Sequence, residues 1–304
     1  MSVITRVLML FIVILIGTFC RKKNYFTPEV VRGVTQIIVN VSLPCLTIST
    51  MQRPFAAEEF HNFLYILALS VLLVVLSVAV CLPIYWKHRH ERRAVLINFA
   101  VFCNSSFMGY PIILAINPDW MIYAVSYNVA FTFFTWTLGN GLFGSKDNKN
   151  LFKLLINPNI IAAAIGFCLF CAGISLPPLA MDVMEMVGGL TTPLAMLLIG
   201  TRLYGVRLKD FKDWDYHICA FLRLIAIPLL LYGALTLLLY GALTLLRVPL
   251  AVRNTMFLIT AMPNSTMVVN QAELYGGDHV FAARAVAYTT LLSMLTVPVM
   301  SLLL

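Results

Sequence analysis

Long apolar stretches alternate with short clusters of charge along this 304-residue chain. Each stretch is close to the ~20 residues that an α-helix needs to cross a hydrocarbon core roughly 30 Å thick. The pattern predicts ten spans, at about 3–20, 30–51, 60–86, 93–117, 120–144, 154–173, 180–201, 215–246, 252–274 and 280–304. The fourth and fifth are separated only by the short connection Asn117, Pro118 and Asp119. The expected fold is an all-α polytopic membrane protein with no extramembrane domain.

Composition narrows the class. Hydrophobic residues make up 61% of the chain and charged residues 11%, and the mean hydropathy is +0.90. So few charges cannot cover the surface of a 34 kDa soluble protein without leaving large apolar patches in water. Lipid is therefore the expected main partner, and disorder, nucleic-acid binding and a disulfide-stapled secreted scaffold are excluded.

The net charge of +8 acquires meaning from its distribution. The first span lacks a basic leading region and a small-residue cleavage site, and Arg21, Lys22 and Lys23 follow it, so it reads as a helix inserted N-terminus outward. Alternate connections then carry Arg32; Lys87, Arg89, Arg92 and Arg93; Lys146, Lys149 and Lys153; and Arg202, Arg207, Lys209 and Lys212. By the positive-inside rule these face the cytoplasm, and both termini are expected outside it. Arg223 is left inside the eighth span. An intramembrane arginine is a functional suspect, but two turns from the span's end the favoured reading is that its head snorkels to the interface.

Landmarks recur at similar spacing in the two halves: Gly17 and Gly166, Pro44 and Pro193, Pro111 and Pro263. Five spans per half is an odd number, so the second half enters the membrane from the opposite side. The expected organisation is a pair of inverted five-helix repeats, 1–144 and 154–304, joined by a link at 145–153. An identical octapeptide, Leu-Leu-Tyr-Gly-Ala-Leu-Thr-Leu, fills 230–237 and 238–245 and lengthens or tilts the eighth span.

Polar and helix-breaking residues gather within the fourth and ninth spans. The first holds Asn98, Asn104, Ser105, Ser106, Gly109 and Pro111; the second holds Pro263, Asn264, Ser265, Thr266, Asn270 and Gln271. Proline removes a backbone donor and crowds the preceding turn, so both helices are expected to break there. Unpaired backbone at that depth is tolerated only inside protein or beside a wet cavity. Two broken helices brought together aim half-helix N-termini at one point, which favours an anion, a carboxylate above all. The candidate substrate contacts are Asn104, Ser105, Gly109, Pro111, Pro263, Asn264, Ser265 and Thr266. The alternative is that the small polar side chains only join helices. Asn40, Asn128 and Asn270 are secondary polar candidates, with Asn40 and Asn128 read chiefly as packing residues. Cys168 and Cys171 have CxxC spacing without a nearby histidine pair, and hydrolase and nucleotide motifs are missing, so neither a metal site nor an enzyme is expected.

Val39-Asn-Val-Ser-Leu-Pro-Cys-Leu46, Asn104-Ser-Ser-Phe-Met-Gly-Tyr-Pro111, Asn157-Pro158, Gly188-Gly-Leu-Thr-Thr-Pro193 and Ala272-Glu-Leu-Tyr-Gly-Gly-Asp278 together resemble the auxin efflux carrier family. This is the family of the plant PIN-type carriers and their bacterial permease relatives. The resemblance implies ten helices with the fourth and ninth broken and crossing at their prolines. It further implies a scaffold of spans one, two, six and seven, a mobile transport unit of spans three to five and eight to ten, a homodimer and an elevator-like motion in the cell membrane. It also implies a carboxylate taken up beside Asn104. The short link in place of a long central loop points to a bacterial-type permease. The expected function is therefore secondary transport of a small organic anion, with a flux-free membrane sensor as the alternative. No cofactor is expected, and a coupling ion, H+ or Na+, is left open beside uniport.

Overall fold

The computed structural model describes residues 3–144, 156–204, 206, 211–240 and 248–304. The link 145–153 lies outside the described residues, as do 241–247, which carry most of the second octapeptide copy. The described chain is helical. In order come α1 (Val3–Lys22), α2 (Pro28–Thr50), α3 (Ala57–Tyr85), α4 (His90–Val101) and α5 (Ser105–Ile116). α6 (Met121–Phe134) runs on through a π turn, Thr135–Gly139. Then follow α7 (Pro158–Ala172), α8 (Pro178–Leu203), α9 (Trp214–Phe221, continued by Leu222–Ala226 and Ile227–Tyr240), α10 (Leu250–Thr260), α11 (Met267–Leu274) and α12 (His279–Ser301).

Among the described residues five helices are long and apolar enough to span a bilayer: α2, α3, α8, α9 and α12; α5, α7 and α10 are shorter apolar helices. Burial is inverted relative to a protein dissolved in water. Ile12 on α1 and Val75 on α3 are 57% and 58% exposed, whereas Asn98, Asn264, Thr289, Ser293 and Arg223 are wholly buried. Such a surface is stable where the solvent is as apolar as the side chains, so the chain is a polytopic membrane protein.

Three of the prolines inside these helices are accommodated in the same way, whereas Pro83 and Pro298 stand in α-helix with no π turn before them. Three of the four π turns among the described residues, Ile38–Ser42, Ser105–Gly109 and Leu222–Ala226, each end two residues before a proline: Pro44, Pro111 and Pro228. The residue preceding the proline donates five positions back, Leu43 to Ile38, Tyr110 to Ser105 and Ile227 to Leu222. A proline cannot donate and its ring presses on the carbonyl four residues earlier, so widening that turn removes the clash without ending the helix.

α1 packs along α8, and α2 packs against both α7 and α8. The closest approach is at Gly17 and Gly200, where the Thr18 hydroxyl donates to the Gly200 carbonyl at 2.8 Å. α3 packs on α4 and α6, and α9 on α10 and α12. Polar residues at the starts of α4 and α9 form a separate cluster. Arg92 pairs with Asp213, its Nε lies 2.7 Å from Asp215 Oδ2, and His88 Nε2 lies 3.0 Å from Asp215 Oδ1. Burial pushes the Asp213 carboxyl up, but the Asp215 backbone N–H and the Arg92 guanidinium outweigh it and hold it below the ordinary carboxylate range. A carboxyl depressed in the folded state stabilises the fold above its unfolded pKa, and that contribution is lost as pH falls through the lower, folded value. Melting temperature measured against pH is expected to fall on the acid side less steeply for Asp213→Asn than for the unaltered protein. The side chain is 45% exposed, so the difference should stay under about 1 kcal/mol. Identical profiles would remove Asp213 from the acid response.

Candidate functional site

Both polar stretches break as the sequence predicts, and the breaks meet. α4 stops at Val101 and the chain is extended through Phe102; α10 stops at Thr260 and is irregular until α11. Asn104 N–H donates to the Pro263 carbonyl at 2.8 Å, and Ser265 N–H donates to the Phe102 carbonyl at 3.2 Å, placing Cys103 opposite Asn264. Each break thus satisfies part of the other's stranded backbone, the condition for irregular chain at membrane depth. Pro263 suits this position because it is asked only to accept.

The expected crossing at both prolines needs correction. Pro263 sits in the break, but Pro111 lies inside α5, beyond the π turn that absorbs its ring. The chain breaks instead at Phe102–Asn104, where no proline stands. The expectation that Arg223 snorkels is also overturned. Its side chain is completely buried. Nη1 donates to the carbonyls of Ala100 at 2.9 Å and Val101 at 3.2 Å, Nε to Met262 at 3.2 Å, and Nη2 to Thr260. Four carbonyls near the ends of α4 and α10, belonging to residues that are themselves buried, outweigh the pull of the interface.

On one side of the crossing lies a cavity of about 240 Å³. Asn104, Ser105, Ser265, Thr266, Asn128 and Asn270 all line it, and Cys103, Ser106, Phe107, Phe131, Thr132 and Met267 complete that wall. The Asn128 side-chain oxygen accepts from the Ser105 and Ser106 hydroxyls, at 2.8 and 2.9 Å. The opposite wall comes from other helices: Thr35, Val39 and Leu43 of α2, Asn157 and Asn159 at the start of α7, and Arg202 in the last turn of α8. The first turns of α5 and α11 therefore face the cavity, while the carbonyl ends of α4 and α10 are held by Arg223.

The remaining candidates stand elsewhere. Gly109, Pro111, Pro263 and Asn264 do not line the cavity. Gly109 packs beside Met262. Asn264 lies behind the crossing, its N–H donating to Thr289 Oγ1 at 3.3 Å and its Nδ2 directed at Cys219 Sγ at 3.4 Å. Asn40 is exposed on the π turn of α2, away from the cavity.

Arg202 is the residue the sequence concealed. It reads there as one more basic residue in a cytoplasmic cluster, yet its side chain enters the cavity lining, and among the described residues no carboxylate pairs with it. Its separation from Arg207, Lys209 and Lys212, together with its place in the last turn of an apolar helix, is the signal available in the sequence. A guanidinium, several amides and hydroxyls, and two helix N-termini border a small cavity, a set of donors of the kind that suits an oxygen-rich anion.

Fold and site together define a polytopic membrane protein with a cavity, lined in part by polar side chains, beside paired breaks in its helices. The chain matches the family described as membrane transport protein over residues 2–301, and it belongs to that family, the auxin efflux carrier family that its motifs resemble. It is also similar to an uncharacterized transporter of Methanocaldococcus jannaschii, 23% identical over 303 residues that cover 96% of this chain and 95% of the relative. Family and relative are transporters, so the chain is a membrane transport protein and not an enzyme.

Proposed function

We propose that this protein is a secondary transporter of a small organic anion, a carboxylate, working by elevator-like alternating access. The observation that carries this reading is the cavity between the crossing and the α2, α7 and α8 wall, with the exposed Arg202, which meets no carboxylate among the described residues, on that wall and Asn104, Ser105 and Ser265 facing it. α1, α2, α7 and α8 correspond to the scaffold of two inverted five-helix repeats, and the remaining helices to the transport unit. The packing of α1 on α8 and of α7 on α2 is what a repeat pairing spans one with six and two with seven requires, and this supports the assignment. A cavity at the seam between two such groups is where sliding of one past the other would carry a solute. The working form is a homodimer in the cell membrane with both termini outside the cytoplasm.

The test is a melting-temperature screen of small carboxylates on purified protein, followed by liposome uptake of those that stabilise it. Asn104→Ala and Arg202→Gln are each expected to reduce uptake at low substrate at least about tenfold, the loss of one hydrogen bond to a charged group being about 1.5–3 kcal/mol. Asn40→Ala, outside the cavity, is expected to leave uptake unchanged. Normal uptake in both cavity variants would overturn the site. Binding without counterflow would favour a membrane sensor instead.

A further inference from the structure

α4 and α10 both end at the crossing, and the last carbonyls of a helix have no partner within it. Ala100 and Val101 from one break, and Thr260 and Met262 from the other, turn their carbonyls onto a single buried guanidinium. No carboxylate among the described residues pairs with Arg223. Its counter-charge is therefore the two helix ends, each equivalent to about half a negative charge. One guanidinium cancels two such ends. In transporters built on broken helices, carbonyls at half-helix C-terminal ends are also what coordinates a mobile sodium ion, and a cage made only of oxygen suits a hard cation. Here the cage is filled by a cation carried on the chain.

We propose that Arg223 is a resident cation in the carbonyl cage of the crossing, standing where a coupling sodium ion would otherwise enter and leave. The consequence for flux rests on the transporter reading above: uptake proceeds without sodium. The guanidinium is carried on the chain and cannot diffuse away, so the cage stays filled throughout the cycle, whatever ions the solution offers. The helix ends behind the site never present a negative field to an approaching anion.

The test compares melting in sodium chloride and in choline chloride of equal ionic strength. The unaltered protein is expected to melt at the same temperature in both. Arg223→Met, which keeps an unbranched apolar stem but empties the cage, is expected to show a saturable sodium-dependent rise in Tm that choline does not give. A sodium-dependent rise in the unaltered protein, or a folded Arg223→Met protein indifferent to sodium, overturns the proposal. Should Arg223→Met fail to accumulate, uptake by the unaltered protein decides: equal rates with and without an inward sodium gradient support the resident cation, and stimulation by sodium overturns it. Absence of carboxylate uptake under every condition would sink the transporter reading, while the melting comparison would still decide what the cage holds.

Discussion

Arg223→Ala is expected to be the most damaging single substitution at the crossing, lowering stability by on the order of 4 kcal/mol. The truncated side chain leaves four carbonyls, those of Ala100, Val101, Thr260 and Met262, without their donor in a region closed to solvent. A buried carbonyl stripped of its partner costs about 1–3 kcal/mol, and water entering the vacated volume recovers part of that. Arg223→Lys should fall between the two proteins, since an ammonium keeps the charge but lacks the planar fork that reaches both helix ends. Melting of the three purified proteins in one detergent measures the series. A melting temperature for Arg223→Ala equal to that of the unaltered protein would show that the guanidinium is dispensable to the fold.

Gly200→Val is expected to cost about 3 kcal/mol or more, at the upper end of what overpacking does. A β-carbon on Gly200 would stand 2.0 Å from the Ile14 carbonyl oxygen and 2.8 Å from the Thr18 nitrogen, and one on Gly17 would stand 2.2 Å from the Leu197 carbonyl oxygen. These neighbours are backbone, so no rotamer change relieves the contact and α1 must separate from α8. In lipid that separation is costly, because close packing rather than hydrophobic exclusion holds such helices together. Gly33→Ala is the control: nothing lies within 4 Å of its β-carbon position, and alanine is the better helix former. Folded yield and Tm should collapse for the first variant and hold or rise for the second. Equal behaviour would mean that the α1 and α8 seam is looser than its geometry.

Much of this arrangement is legible in the sequence because membrane insertion imposes simple rules. Apolar length and charge spacing locate the helices, and the gathering of Asn104, Ser105, Pro263, Asn264 and Ser265 marks where two of them break. Pro111 misleads, since a proline signals local strain without saying whether a helix stops or merely widens; the π turn Ser105–Gly109 takes up its ring and the helix continues. Arg223 misleads for a different reason. Its distance from the span's end suggests an escape to the interface, but whether a long cation snorkels depends on what lies beside it, and four carbonyls from two distant segments lie there. Asn40 and Asn128 look alike in sequence, yet Asn128 lines the cavity while Asn40 is exposed away from it.

By itself the sequence determined the solvent, the helical class and the two segments that break, because each follows from residue type and spacing along one chain. The tertiary structure decided which residues surround the cavity. It brought Arg202 from the end of α8 into the lining of the same cavity as Asn104, placed Asn264 behind the crossing rather than in the site, and set one guanidinium across the ends of α4 and α10. Arg223 alone joins residues 39 and 123 positions away along the chain. Hydropathy and periodicity describe each segment's fit to lipid and to its own helix, whereas partners across the fold are selected by packing and by the need to satisfy buried carbonyls.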